Sequence, residues 1–322
     1  MKEIGGYIEL ESYDGQEFHQ QAIALNCGRN ALAYLLKAKK YKKIYLPEFL
    51  CNSVAKVCTK VNVSYETYNI DVNFIPIFEK ELSENEIIYI VNYYGQIPLD
   101  KITNIKKKYN NVIIDNSQAF FVEPIEGIDT LYTCRKYFGV PDGAYLYTNV
   151  KLDEKFDIDI SLNRMSHILG RFEGKASDYY NESVKNNHLF ENEDIKCMSK
   201  LTHNFLRSLN YEKISEKRTR NFEFLDEKLI FLNKLNINVP NGAFMYPLLV
   251  EDGEKIRKKL QEKKIYIPIL WPEVLDKCDI NSLEYNFANN ILPLPCDQRY
   301  NTDDMKYIVK EILTILDEKN ER

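Results

Sequence analysis

The sequence predicts an α/β fold: a mostly parallel central sheet with helices on both faces, plus a small C-terminal α+β domain. Three observations predict it. Short runs rich in Ile, Val and Tyr alternate with helical patterns from about Asn26 to Asn149, as expected of a sheet covered by helices. Long polar helical patterns replace the strand runs between about Leu152 and Leu235. Mixed strand and helix patterns resume after Asn241-Gly242. A chain of 322 residues has room for one large and one small lobe. We expect 1–235 to hold the N-terminal segment, the large α/β domain and a helical connection, and 236–322 to form the small domain.

The elements follow in chain order. CGRNALAYLLKAKKY (27–41) repeats apolar residues at helical spacing, and LDKITNIKKKY (99–109) does the same. KKIYLPE, EIIYIVNYY, NVIIDNS, TLYTC and AYLYTN read as strands because they concentrate β-branched and aromatic residues. MSKLTHNFLRSLN and YEKISEKRTRNFEFLDEKLIFLNKL read as helices with charged outer faces. In the small domain, AFMYPLLV is followed by a helix DGEKIRKKLQEKK, strands IYIPIL and ILPLP, and a last helix DDMKYIVKEILTILDEK.

Composition narrows the function. The net charge of −5 comes from 43 basic and 48 acidic residues that are interleaved, so no field suited to nucleic acid or an anionic membrane is expected. Seven cysteines lack CxxC spacing, which argues against a disulfide framework or a structural zinc site. The four histidines, His19, His167, His188 and His203, show no HxxxH spacing, and no metal is expected. No segment reaches the roughly 18 apolar residues of a membrane span, and the start lacks a leader pattern. A soluble, cytoplasmic protein is the expectation.

Four features carry chemistry. Asp115 ends the apolar run Val112-Ile113-Ile114, at the carboxyl end of a strand where open α/β sheets bind ligands. Asn26-Cys27-Gly28-Arg29-Asn30 leads into a helix with no carboxylate in its first turn, and free N–H groups at a helix start can hold a phosphate. Thr133 and Lys136 stand three apart, before the turn Gly139-Val140-Pro141-Asp142-Gly143. A lysine that forms an imine needs its neutral amine, which burial beside a cation such as Arg135 favours. Arg135 itself stays protonated and cannot form the adduct, so Lys136 is the chemical candidate. Anion cradle, carboxylate and amine, in this order, describe a pyridoxal phosphate site.

With these residues in hand, the sequence resembles the DegT/DnrJ/StrS family of pyridoxal-phosphate sugar aminotransferases, of fold type I, and within it a shorter branch with an RK(F/Y)FGVPDG motif. CGRNAL (27–32) resembles the family's SGTxAL phosphate motif, and DNSQ (115–118) its DxxQ strand end. Lys136 before GVPDGA resembles its Schiff-base lysine, and ILPLPCDQRYNTDDM its LPLHP-like strand before the last helix. The resemblance implies that Lys136 holds the cofactor and that Asp115 pairs with the pyridine nitrogen. It places Gln118 near the phenolic oxygen, and sets Gly28, Arg29, Asn30 and Thr133 around the phosphate.

The chain also departs from the family pattern. The family's serine lies five residues before the lysine, where this chain has Leu131. The aromatic residue that stacks on the ring in larger members is replaced by Cys51, leaving Phe49 or Tyr93 as candidates, and a VHLYG-like segment has Asn92 for histidine. Partner contacts of the family's NxRM loop correspond either to Asn163-Arg164-Met165 or to Met198-Ser199. Trp271 and Arg299 fall in the small domain, as packed aromatic and surface cation or as substrate contacts.

The function so implied is amino transfer from an amino acid, glutamate, to a nucleotide-linked keto-sugar, in surface-polysaccharide or secondary-metabolite sugar biosynthesis, by a homodimer with shared active sites. A pyridoxal-dependent sugar dehydratase would carry histidine in place of Lys136. A non-catalytic binding or regulatory protein on the same scaffold would need neither Lys136 nor Asp115.

Overall fold

The computed structural model describes residues 4–320. Among the described residues, β1 (Ile23–Leu25), β2 (Lys43–Pro47), β3 (Ser64–Ile70), β4 (Pro76–Ile77), β5 (Glu86–Val91), β6 (Val112–Asp115), β7 (Asp129–Thr133) and β8 (Ala144–Tyr147) form one sheet. Their order is β1-β8-β7-β6-β5-β2-β3-β4. The pairs β7/β6, β6/β5, β5/β2 and β2/β3 are parallel. β8 is antiparallel to both β7 and β1, so β1 runs in the same direction as β7. The carboxyl ends of β1, β2, β5, β6 and β7 therefore share one edge of the sheet, and that edge carries the site.

The central strands are apolar throughout because both faces are covered. Ile87, Ile88 and Ile113 are fully buried, each contributing about 2 kcal/mol of hydrophobic stabilisation. Helix α1 (Gly28–Lys39) buries Ala31, Leu32, Leu35 and Leu36 and packs on β7 and β8. It stops at Lys40, whose left-handed backbone returns its N–H to Leu36 and Lys37. Helix α2 (Asn52–Lys60) packs on α1 and β3, and α3 (Leu99–Lys108) precedes β6.

After β8, α4 (Ser166–Glu173) and α5 (Tyr180–Asn192) form a helical pair beside the site edge, followed by α6 (Lys200–Arg207) and α7 (Tyr211–Leu229). Ser199 and Asn210 cap α6 and α7 by accepting from Thr202 N and Lys213 N, the standard way of satisfying a helix start. A second apolar cluster forms around β9 (Tyr246–Leu249) and its antiparallel partner β10 (Ile291–Leu294). It includes Phe222 and Leu225 of α7, Ile256 and Leu260 of α8 (Gly253–Glu262), and Ile308 and Ile312 of α11 (Thr302–Asn320). Between them, α9 (Glu273–Lys277) and α10 (Leu283–Asn290) pack Val274 and Phe287 onto the large core.

One expected strand is absent among the described residues. IYIPIL (265–270) forms no ladder; Ile265 and Ile267 are buried in the second cluster, while Pro268 has no N–H to give to a neighbour. β1, α2, β3 and β4 were not anticipated. β1 has only three residues, and β3 turns alternate polar residues outward.

His19 anchors the N-terminal segment inside the large core. Its ring lies among Phe120, Tyr132, Tyr145 and Tyr147, with Nε2 2.9 Å from Phe120 O. Burial pulls its imidazole from the ordinary 6.5 down to about 4, against the bond to Phe120. The fold therefore prefers the neutral ring, and its stabilisation is full above pH 6.5 and lost as pH falls towards 4. We predict that unfolding free energy drops by on the order of 2 kcal/mol between pH 7 and pH 5 through this group. His19→Gln should remove that part of the slope in urea titrations; an unchanged slope in the variant would reject the assignment.

Candidate active site

A cavity of about 990 Å³ opens at the shared carboxyl edge, lined by Gly28, Cys51, Tyr89, Asp115, Thr133 and Lys136 among others. They come from β5, from the ends of β6 and β7, and from the turns after β1, β2 and β7, which is where a doubly wound sheet leaves a crevice.

Asp115 is 7% exposed, and both of its carboxylate oxygens are engaged. Oδ2 accepts from Tyr89 Oη at 2.6 Å and Oδ1 from Ser117 N at 2.8 Å. The register explains the first bond: Tyr89 pairs with Ile113 and Val91 with Asp115, so Tyr89 lies diagonally across from the carboxylate. Burial, and then the charge of Asp115, pushes the Tyr89 hydroxyl well above its ordinary value. Tyr89 thus stays a donor and fixes the carboxylate at the cavity wall. Its signal was present in the sequence, since a tyrosine inside an Ile-Val strand needs a partner for its hydroxyl.

Lys136 ends a short 3-10 turn (Cys134–Lys136) directly after β7. Its side chain is exposed in the cavity, with Nζ 5.8 Å from the Phe244 ring centre. The backbone on both sides is pinned. Cys134 N donates to Gly143 O at 3.1 Å, and Gly143 N donates to Asn26 O at 2.7 Å. Tyr137 O accepts from Arg218 Nη2 at 3.0 Å and from Gln298 Nε2 at 2.8 Å. The GVPDG turn therefore joins the lysine to the entry of α1. Gly143 has φ +114, and a Cβ there would press on Cys134 and Thr202, so this position requires glycine. Asp142 is fully buried and accepts from Ser199 N, Ser199 Oγ and Thr202 Oγ1. Burial raises its carboxyl above the ordinary range even though these donors favour the charge.

The entry of α1 forms the opposite wall. Cys27 precedes the helix without a side-chain cap, so the first N–H groups depend on partners outside the helix. Gly28 faces Thr133: a Cβ at Gly28 would come within 2.7 Å of Thr133 Cγ2. Among the described residues, Thr133 Oγ1 is buried without a hydrogen-bond partner. Arg29 and Arg135 also line this corner, and both reach Asn187 of α5. His167 of α4 stands beside them, its Nδ1 buried and unpartnered among the described residues. Burial, with the Arg135 charge adding, lowers its imidazole below the ordinary value.

The structure brings Gly28, Arg29, Asp115, Thr133 and Lys136 together around one cavity. Two of the expected residues turn their side chains elsewhere. Asn30 Nδ2 donates to Asn26 Oδ1 and Asp194 O, leaving its backbone N–H as the group at the helix start. Gln118 is 1% exposed, lies outside the cavity lining, and accepts from Tyr94 N at 2.9 Å. Phe49 and Tyr93 pack with Trp271 in an aromatic cluster away from the lining. Asn92 braces the loop after β5 through Ile97 N and Asn116. Arg299 lines the cavity with its guanidinium on Asp297 at 2.7 and 2.8 Å. Of the two candidate loops, Asn163-Arg164 lines a separate groove, and Ser199 supports the glycine turn. Tyr89, Arg135, His167 and Asn187 were not singled out as site residues; the last two lie on helices whose placement over the site has no sequence signal.

No family model and no curated protein matches the chain by sequence. Among solved structures, the chain is similar to a DegT/DnrJ/EryC1/StrS aminotransferase from Brucella abortus at 15% identity and TM-score 0.61, covering 91% of this chain and 85% of that one. It is similar to NtdA from Bacillus subtilis with bound cofactor PMP at 15% identity and TM-score 0.65, covering 92% and 73%. The sugar aminotransferase CalS13 from Micromonospora echinospora matches at 14% identity and TM-score 0.59, covering 91% and 87%. The chain therefore has the fold of these aminotransferases, the fold type I architecture expected from its sequence.

Proposed function

We propose that the protein is a pyridoxal-phosphate-dependent aminotransferase that passes an amino group from an amino acid, glutamate, to a keto-sugar carried on a nucleotide. The observation that carries this reading is the convergence, in one cavity, of a braced carboxylate, an unengaged lysine amine and an anion corner. The residues fit the cofactor at three points. Thr133 Oγ1 lacks a partner among the described residues, Gly28 has no Cβ and so lets Thr133 pack against the helix entry, and Asp115 is held by donors that do not neutralise it. The solved structures of the same fold, among them a sugar aminotransferase and a PMP-bound protein, support the same choice of chemistry.

When bound, the cofactor supplies an electron sink for the carbon that carries the amino group. Asp115 would pair with the pyridine nitrogen and favour its protonation, and Tyr89 keeps the carboxylate oriented. Lys136 Nζ would hold the cofactor and, when freed, would serve as the base and acid that moves a proton at the donor carbon. Gly28, Arg29 and Asn30 offer backbone N–H groups to the phosphate, and Thr133 offers its hydroxyl. The exchange leaves an oxo acid and an aminated sugar, and a route in surface-polysaccharide or secondary-metabolite sugar synthesis would use the product. The test is the absorption spectrum of purified protein with and without glutamate. A cofactor band that moves to the pyridoxamine position on adding glutamate is expected; a protein without cofactor absorbance would refute the reading.

The same reading places two chains in the active unit. Ile160, Leu162 and Phe172 are 82%, 73% and 88% exposed, and Phe172 stands at the cavity mouth. Exposed apolar side chains such as these suit burial against a second copy across a two-fold axis, which would also exclude water from the reacting centre. Sedimentation of the cofactor-bound form should give a dimer whose activity falls on dilution below its dissociation point. A monomer with full activity would remove the shared site.

A further inference from the structure

We propose that Arg29 and Arg135, set by Asn187, form a two-guanidinium clamp on the phosphate of the bound cofactor. The inference rests on the cofactor reading above and identifies which side chains balance the phosphate's charge. Both arginines line the cavity beside Gly28 and Thr133. Arg29 Nη2 donates to Asn187 O at 3.1 Å, and Arg135 Nη2 donates to Asn187 Oδ1 at 2.5 Å. One neutral asparagine thus holds two cations on its two carbonyl oxygens.

Neither arginine forms an ion pair among the described residues. The nearby acidic groups are engaged elsewhere or neutral: Glu191, whose charge Arg29 feels, pairs with Lys56 at 3.2 Å and His188 at 3.3 Å. Burial pushes the Cys27 thiol up, so it stays neutral. Asp142 is enclosed by Ser199 and Thr202. Arg164, stacked on Phe190 at 4.9 Å as Arg135 is at 5.0 Å, uses Asp159 at 2.5 Å for itself. Like charges gathered at a partly desolvated corner are unfavourable unless a counter-ion joins them. Burial above all, with the Arg29 and Arg164 charges adding to it, pulls the Arg135 guanidinium down to about 10, still cationic at neutral pH.

The missing counter-ion has a defined chemistry. Guanidinium forks match the oxygens of a phosphate, which can accept from two of them at once. The helix start and the unpartnered Thr133 hydroxyl face the same corner, so main-chain and side-chain donors converge on one tetrahedral anion. Asn187 is the positioning residue: it lies on α5, so the clamp links the helical pair over the site to phosphate occupancy.

The test uses the cofactor-free full chain and three probes: pyridoxal phosphate, pyridoxal without the phosphate, and inorganic phosphate. Arg29→Gln and Arg135→Gln should each weaken pyridoxal phosphate binding by roughly 10- to 100-fold, the scale of one charged hydrogen bond. Pyridoxal binding, read by absorbance, should be unchanged, and thermal stabilisation by inorganic phosphate should fall. Arg135→Lys retains the charge and guards against loss of the Phe190 stack; it should restore part of the phosphate effect. Equal weakening for pyridoxal and pyridoxal phosphate, or none for either, would overturn the clamp. If wild-type protein binds neither aldehyde, the cofactor reading fails, and inorganic phosphate judges the clamp alone: stabilisation lost in both Gln variants supports it, and stabilisation retained rejects it.

Discussion

Lys136→Ala is expected to lower turnover by roughly 10⁴-fold or more, because it removes both the attachment point and the group that moves the proton. The protein should still fold. The Lys136 side chain is exposed, its amine takes no hydrogen bond or ion pair among the described residues, and its recorded contact is the distant face of Phe244. Surface truncations of this kind change stability by about 0.5 kcal/mol or less. Urea unfolding of the variant should therefore overlay that of the wild type while activity is lost. The pinned turn around it, through Gly143 and Arg218, keeps the backbone in place without the lysine.

Asp115→Asn should keep the cofactor bound and lower kcat on the order of 10²- to 10³-fold, the scale of losing one preorganised electrostatic contact in a dry site. An amide at this position keeps one acceptor oxygen for Ser117 N, and its NH2 replaces the oxygen that accepts from Tyr89 Oη, so the tyrosine hydroxyl has to turn and accept instead. What it lacks is the negative charge that keeps a proton on the pyridine nitrogen. The deficit should appear in the proton-transfer step, as a slow single-turnover rate with glutamate and an intact solvent isotope effect. Near wild-type turnover in a cofactor-loaded Asn variant would contradict the role given to Asp115.

Much of this site could be read before the fold was known, and the reason is local. Val112-Ile113-Ile114 can only be a buried strand, so Asp115 must stand at its end. Gly28 at a helix entry and Lys136 before a glycine turn are likewise short-range signals, and the chain returns them to one cavity. What escaped depends on distant partners. Asn187 meets Arg135 across more than fifty residues of helix and loop, and no pattern in α5 marks that face. Gln118 sits at the motif spacing, yet its carbonyl is taken by Tyr94 N, whose backbone is left-handed at φ 54. Phe49 and Tyr93 were candidates by chemistry alone; the aromatic cluster with Trp271 uses them for packing. IYIPIL has strand composition, but burial in the second core and a proline without an N–H decide against a ladder.

The central claim is that the cavity between Asp115 and the entry of α1 holds pyridoxal phosphate on Lys136. Borohydride reduction of the holoprotein, followed by proteolysis and mass mapping of the modified peptide, tests it directly. The account predicts a single pyridoxyl-bearing peptide that contains Lys136 and disappears in Lys136→Ala; a pyridoxyl group on any other lysine, or none on the reduced protein, would contradict it.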